Sequence, residues 1–165
     1  MIYKKGVIKL KEKMEIEVPR IEDFEAVNKL AKQVHELHVK WRPDLYLSVD
    51  KVINIEYFNE KIKTKEIYVA KQNNEILGYI MFEIKEKDIP IMRYRKALSI
   101  EAICVDEKNR RKGIGTFLLE KVKQIANEKG CTDLYLTVNE ENKSAIKAYE
   151  KFGFKLKSIS YSMKI

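Results

Sequence analysis

Cysteine, proline and glycine are all scarce here: two, three and six in a chain of 165 residues. Cys104 and Cys131 make no C-x-x-C pair, which argues against a disulfide framework or a thiolate zinc site and fits a reducing cytoplasm. So little glycine and proline excludes collagen-like and low-complexity chains. No apolar run approaches the roughly 18–20 residues of a membrane span, and residues 1–13 alternate lysine with apolar side chains instead of building a signal-peptide core. Neither a fixed-period repeat nor a linker composition is visible. The expectation is one domain over residues 1–165, with 1–12 as a possible N-terminal extension.

Charge, by contrast, is plentiful: 35% of residues are charged and the formal net charge is +8. The excess is lysine. Six arginines (Arg20, Arg42, Arg93, Arg95, Arg110 and Arg111) stand among many scattered lysines and glutamates, without the clustered arginine and interleaved aromatics of a nucleic-acid reader. The reading is a solvated Lys/Glu surface that binds neither nucleic acid nor membrane.

Hydrophobic periodicity orders the elements. Residues 14–18 alternate as a strand, and 21–39 place Phe24, Val27, Leu30, Ala31, Val34 and Leu37 at helical spacing until Pro43. A second helix spans 52–62. Two β-rich runs, 66–71 and 76–84, flank the turn Gln72-Asn73-Asn74-Glu75 and predict an antiparallel hairpin. After a loop over 88–96, residues 98–105 read as a buried central strand. A helix follows with a stripe of Ile114, Phe117, Leu118, Val122, Ile125 and Ala126 ending at Gly130. A strand over 133–138, a short helix over 142–152 and a closing strand pair within 154–163 complete the order β-α-α-β-β-β-α-β-α-β-β. This order predicts a mixed α/β sheet flanked by helices, with local parallel pairing between the strands at 98 and 133.

The segment Val105-Asp106-Glu107-Lys108-Asn109-Arg110-Arg111-Lys112-Gly113-Ile114-Gly115-Thr116 joins a buried strand to an amphipathic helix. Its glycines let the backbone approach a ligand, and free N–H groups at the positive end of a helix dipole favour phosphate oxygens. Arg110, Arg111 and Lys112 reinforce that field. Neither G-x-x-x-x-G-K-[ST] nor G-x-G-x-x-G is present, since Leu118 occupies the place of a third Rossmann glycine, which argues against ATP and NAD.

Arg110-x-x-Gly113-x-Gly115 resembles the R/Q-x-x-G-x-G/A loop of the GNAT superfamily of acetyl-CoA-dependent N-acetyltransferases. Asn142 to Phe154 is similar to that family's N-x-x-A-x-x-x-Y-x-x-x-G-F block. The two blocks cover about residues 98–154. The resemblance implies a mostly antiparallel mixed sheet of about seven strands and about four helices, splayed between the fourth and fifth strands.

It also implies site residues. The backbone of Arg111, Lys112, Gly113, Ile114, Gly115 and Thr116, with Arg110, would bind the pyrophosphate of coenzyme A. Ile103, Cys104 and Val105 would pair with pantetheine as an added strand, with the Ile103 N–H nominated to polarise the thioester carbonyl. Asn142 either contacts the coenzyme or caps its helix. Tyr149 matches the tyrosine that protonates the departing thiolate, or else packs at a core edge. With ordinary values near 10 for tyrosine and 8.5 for a thiol, full proton transfer is uphill by about 2 kcal/mol, so hydrogen bonding to developing charge or a lowered Tyr149 pKa is needed. Glu101 is the candidate general base, or an acceptor-binding or structural carboxylate. His35, His38, Trp41 and Tyr46 fall in the acceptor-binding region. Arg93 and Arg95 would meet an acidic acceptor or simply face solvent. No metal is expected, because the two histidines lack a third ligand in register.

Neither cysteine has an obvious histidine partner, so direct transfer from acetyl-CoA to a primary amine of a small molecule or peptide is expected rather than a covalent acyl-enzyme. A non-catalytic coenzyme A sensor is the rival. A homodimer is possible.

Overall fold

The computed structural model describes residues 14–163 and Ile165; the expected N-terminal extension lies outside them. The elements are β1 (Glu15–Glu17), a 3-10 turn, α1 (Phe24–Trp41), α2 (Ile55–Thr64), β2 (Ile67–Gln72), β3 (Glu75–Lys87), β4 (Arg95–Val105), a second 3-10 turn, α3 (Ile114–Glu128), β5 (Asp133–Leu136) and α4 (Lys143–Phe152). Among the described residues no helix is long and apolar enough to cross a membrane.

Local chemistry sets the boundaries. Helix α1 stops at Trp41 because Pro43 disfavours a helical Arg42, which sits at φ −137°, ψ 66°. Asn54 caps α2 by accepting the Tyr57 N–H at 2.7 Å. The hairpin β2–β3 turns through Asn73 and Asn74, both at positive φ (50° and 63°), the pair of left-handed residues that a two-residue hairpin with strand-compatible twist demands.

The sheet order is β1-β2-β3-β4-β5, antiparallel except for the parallel β4–β5 pair. Both central strands are longer than their hydrophobic runs suggest. β3 continues to Lys87 and β4 begins at Arg95, so the loop expected over 88–96 is shorter. The start of β4 is held by Arg95, whose Nε donates to Asp133 Oδ2 at 2.9 Å while a second guanidinium nitrogen pairs with Oδ1. Arg95 therefore ties β4 to β5 and is not free to meet an acidic acceptor; Arg93 stays in an exposed loop.

Each sheet face carries its own core. On one, Ile114, Leu118, Leu119, Val122, Ile125 and Ala126 of α3 pack on Ile80, Phe82, Leu98 and Ile100, with Tyr149 and Phe152 of α4 at the margin. On the other, Phe24, Val27, Leu30 and Ala31 of α1 and Phe58 of α2 pack on Val69, Tyr79, Met81 and Cys104. Four α-helices and a mixed, splayed sheet agree with the expected architecture. The strand count does not: five strands form among the described residues, not about seven. The strand expected over 133–138 stops at Leu136, and 154–163 form no strand although Ile159, Tyr161 and Met163 alternate; these three and Leu156 are exposed. Alternation fixes which side chains share a face, but a strand also needs a neighbouring edge to pair with, and the alternation carries no information about that edge.

Candidate active site

Among the described residues, β4 pairs with β5 only from Ala97 to Ile100, then continues for five residues to Val105 with β3 alone beside it. Its outer edge along Ile103, Cys104 and Val105 is open where the sheet splays. Gly78 makes the inner pairing possible: a Cβ there would lie 2.6 Å from the Cys104 carbonyl oxygen. The Cys104 thiol itself is buried against α1, donates to Leu30 O at 3.2 Å and is pushed up to about 12 by burial. Only the backbone of Cys104 is therefore available to a ligand, and the thiol is no nucleophile at neutral pH.

The loop that follows is held by its own polar groups. Arg110 Nε donates to Val105 O at 3.2 Å, Asn109 Nδ2 to Asp106 Oδ2 at 3.0 Å, and Lys112 Nζ to Asn109 Oδ1 at 2.7 Å. Arg111 (φ 64°) and Gly113 (φ 87°) both adopt left-handed backbone, which swings the chain into α3. The Phe117 N–H bonds to Gly113 O, so the amides of Ile114, Gly115 and Thr116 precede the helical ladder and point from its positive end. A Cβ at Gly115 would meet only Val105 Cγ2, at an ordinary 3.7 Å. Packing within the chain thus does not require glycine there, whereas a ligand lying on these amides would.

Gln33 of α1 was not visible as a site residue, yet it clamps this loop from the opposite layer. Its Nε2 donates to Asp106 Oδ1 at 2.9 Å and its Oε1 accepts the Glu107 N–H at 3.2 Å. The Gln33 hydrogen bond holds the Asp106 carboxyl below its ordinary value, with Asn109 and the nearby Lys108 charge adding to it.

Glu101 lies at the break in the sheet. Register steps from Met81↔Ala102 to Phe82↔Ile100, so Glu101 is the extra residue of a β-bulge. The bulge reverses the alternation: Ile100 belongs to the α3-side core, whereas Ala102 and Cys104 pack on the α1 side. Glu101 Oε2 accepts from Tyr57 OH at 2.8 Å and pairs with Lys61 Nζ at 2.7 Å. Lys61 is 4% exposed and also reaches Glu66 Oε2 at 3.2 Å and Phe82 O at 2.7 Å. Burial opposes its charge, but the hydrogen bond to Glu101 and the charges of Glu101 and Glu66 outweigh burial and hold the ammonium above its ordinary value. Burial first and the Glu101 hydrogen bond second push Tyr57 up to about 12, keeping it a proton donor at neutral pH. Tyr57, Lys61 and Glu66 escape a reading of sequence; the one signal is a lysine three residues after Phe58, on the inward stripe of α2.

Tyr149 sits on the other face, edge-on to Phe154 with ring centroids 5.9 Å apart. Burial pushes its hydroxyl up to about 12, so the lowered pKa considered as an aid to proton transfer is not what this environment produces. Asn142 caps α4: its Oδ1 accepts the Ala145 N–H and the Ser144 hydroxyl, each at 3.2 Å.

The acceptor-region residues do assemble. Tyr46 packs edge-on against His38 at 5.3 Å and His35 at 6.1 Å, and Trp41 lies 5.8 Å from His38. His35 Nε2 is 2.7 Å from Leu47 O. Burial, then the neighbouring His35, lower the His38 pKa. Glu101 is joined to Tyr57 and Lys61 instead of to this cluster. No group of three metal-ligating side chains occurs among the described residues.

The Acetyltransferase (GNAT) family matches residues 31–154. An N-alpha-acetyltransferase of Saccharolobus solfataricus is 37% identical over 107 residues, 60% of this chain and 63% of that protein. A putative phosphinothricin acetyltransferase of Bacillus subtilis is 31% identical over 101 residues, 61% of this chain and 60% of that protein. The match thus spans less than two thirds of these relatives. The crystal structure of a point mutant of the Bacillus halodurans protein BH1408 superposes with a TM-score of 0.86 at 26% identity, covering 92% of this chain and 99% of that one. An aminoglycoside N-acetyltransferase in complex with CoA shares the fold, with a TM-score of 0.65 at 17% identity over 92% of this chain and 100% of that one. The matched span contains β4, the loop with its left-handed Gly113, and α4 with Tyr149, and by that match this chain belongs to the GNAT acetyltransferase family.

Proposed function

We propose that this chain transfers the acetyl group of acetyl-CoA directly to a primary amine. The observation that carries the reading is the edge of β4 beyond Ile100, open among the described residues and leading to the amides of Ile114, Gly115 and Thr116, which have no partner there either. These residues fit an extended, phosphate-bearing thiol ester. The amides, with Arg110, Arg111 and Lys112 around them, would hold a pyrophosphate, while Ile103, Cys104 and Val105 offer backbone to an extended arm. Acetyl-CoA, when bound, supplies an acetyl group activated as a thioester.

The chain's own residues supply proton movement and orientation. An alkylamine is about one part in 10³ neutral at pH 7, so an attacking amine needs a proton acceptor. Glu101 is that acceptor. Two carboxylates, Glu101 and Glu66, share the single Lys61 ammonium, so this group keeps an excess negative charge suited to a cationic amine. On the opposite face, Tyr149 donates to the departing sulfur. With its pKa near 12, complete transfer to a thiolate of ordinary pKa 8.5 would be uphill by about 5 kcal/mol, so Tyr149 acts by hydrogen bonding to developing charge. Base and hydrogen-bond donor stand on opposite sheet faces, and the splay is the passage between them.

The relatives' names point to two acceptor kinds, a protein N-terminus and a small amine. We favour a small primary amine, bound beside Glu101 with His35, His38, Trp41 and Tyr46 toward the outer end of the cleft. A reducing cytoplasm suits the two free thiols. The test is coenzyme A thiol release from acetyl-CoA against a panel of small amines and peptide N-termini, with acetyl-CoA binding measured separately. Release promoted by small amines supports the reading; release only with peptides moves the acceptor class; binding without turnover by any amine favours a sensor.

A further inference from the structure

We propose that Lys61 and Tyr57 are positioning residues that fix the Glu101 carboxylate for the acceptor; this rests on the reading of Glu101 as proton acceptor. Both act on one oxygen. Oε2 takes the Tyr57 hydroxyl at 2.8 Å and the Lys61 ammonium at 2.7 Å, while Oε1 has no hydrogen bond among the described residues. Glu101 is the bulged residue of β4, without a register partner on β3 to restrain it, and its partly exposed side chain would otherwise sample several rotamers. The two α2 groups, one turn apart, hold the carboxylate by one edge and present the other to an amine or a bridging water.

Lys61 is itself over-determined. All three of its donors are spoken for, by Glu101, Glu66 and the Phe82 carbonyl, and the ammonium also stands 5.3 Å from the Tyr57 ring. A lysine that served only to neutralise Glu101 would need no second carboxylate. With Glu66 present, Glu101 is anchored without the site losing its negative charge. A further charged group whose field reaches Glu101, among the described residues, is Lys85 on β3, which is paired with Glu83.

The test compares pH-rate profiles for the acceptor amine in wild type, Tyr57→Phe, Lys61→Met and Glu101→Gln, and in the doubles that combine each α2 change with Glu101→Gln. Removing a donor or a cation from the carboxylate makes it easier to protonate. Tyr57→Phe and Lys61→Met should therefore move the acid limb of kcat/KM to higher pH, further for Lys61→Met than for Tyr57→Phe, with acetyl-CoA KM unchanged. In the Glu101→Gln background neither should add a further effect. Equal slowing in both backgrounds, or an acid limb that stays in place, would overturn the proposal and leave Glu101 as base. An unchanged profile for Glu101→Gln alone would instead overturn the base reading beneath it. Thermal unfolding checks each variant; should Lys61→Met fail to fold, Tyr57→Phe, which leaves the buried ammonium and its partners intact, carries the test.

Discussion

The two faces of the sheet reach their functional geometry by different means. On the α3 face the candidate cofactor site is made by consecutive residues: the end of β4, a basic loop and the first turn of a helix. Its groups are mainly backbone amides, positioned by two left-handed residues, Arg111 and Gly113. On the α1–α2 face the site is made by side chains far apart in sequence, Tyr57, Lys61, Glu66 and Glu101, gathered by packing. A site built of backbone must write its needs locally, as glycine and helix-start signals. One built of side chains needs only that some residue of the right kind arrive at the right place.

The sharpest way to break this comparison is Tyr149→Phe, the side chain on which the α3 face is expected to depend for chemistry. A hydrogen bond to developing charge contributes about 10²–10³ in rate, so kcat should fall within that range while acetyl-CoA affinity stays within about twofold. Single-turnover thiol release with a separate binding titration checks it. A fall in affinity as large as the fall in kcat would make Tyr149 part of the binding wall instead.

Next in size is Gly113→Val. A β-branched residue at φ 87° is costly, and relaxing it would turn the amides of Ile114, Gly115 and Thr116 away from their common direction. Acetyl-CoA KM should rise about tenfold or more, with acceptor KM little changed. If the acceptor KM moved equally, the division of labour between the faces would be wrong. The Gln33 clamp on Asp106 is a direct hydrogen-bonded link between α1 and the loop that starts α3.

These contrasts explain what was legible in the sequence. The loop from Arg110 to Gly115 and the segment from Asn142 to Phe154 announced the family because their geometry is local. The hairpin was equally legible, since Asn73 and Asn74 tolerate the positive φ its turn needs. Glu101 could be named from its place in an apolar strand, but its partners could not, because nothing in β4 refers to residues forty positions earlier. The bulge was hidden for the same reason: the run 98–105 is compatible with plain alternation, and only pairing with β3 shows that Ile100 and Ala102 face opposite ways. The missing strands at 154–163 are the converse error, in which short alternating runs, broken in phase between Leu156 and Ile159, meet no paired edge.

Alkaline stability samples both faces at once. Burial pushes Tyr149 on one face and Tyr57 on the other up to about 12, against about 10 in an unfolded chain. Between those values the unfolded state binds fewer protons than the folded one. The stabilisation from the neutral hydroxyls is fully present below about pH 10 and is lost as pH rises towards 12. Melting temperature measured from pH 8 to 12 should decline less steeply in Tyr149→Phe and in Tyr57→Phe than in wild type. A decline unaltered by both substitutions would place the alkaline sensitivity elsewhere, Tyr79 being the most buried candidate.

Asn142 gives the smallest and most discriminating effect, because two readings of it, coenzyme contact and helix cap, predict different outcomes on the backbone-built face. Its Oδ1 already caps α4 through Ala145 and Ser144, while its amide nitrogen has no partner among the described residues. Asn142→Ala removes both capacities and should cost about 1 kcal/mol of stability through the lost cap. Asn142→Ser keeps an oxygen that can cap but removes the amide donor. If the nitrogen contacts the coenzyme, serine should restore the melting temperature while acetyl-CoA KM stays raised several-fold in both variants. If the cap is the whole role, KM should follow stability and serine should restore both. The first outcome would mean that a side chain supplements the amides on the α3 face, and the second that this face binds its ligand with backbone and the basic loop alone.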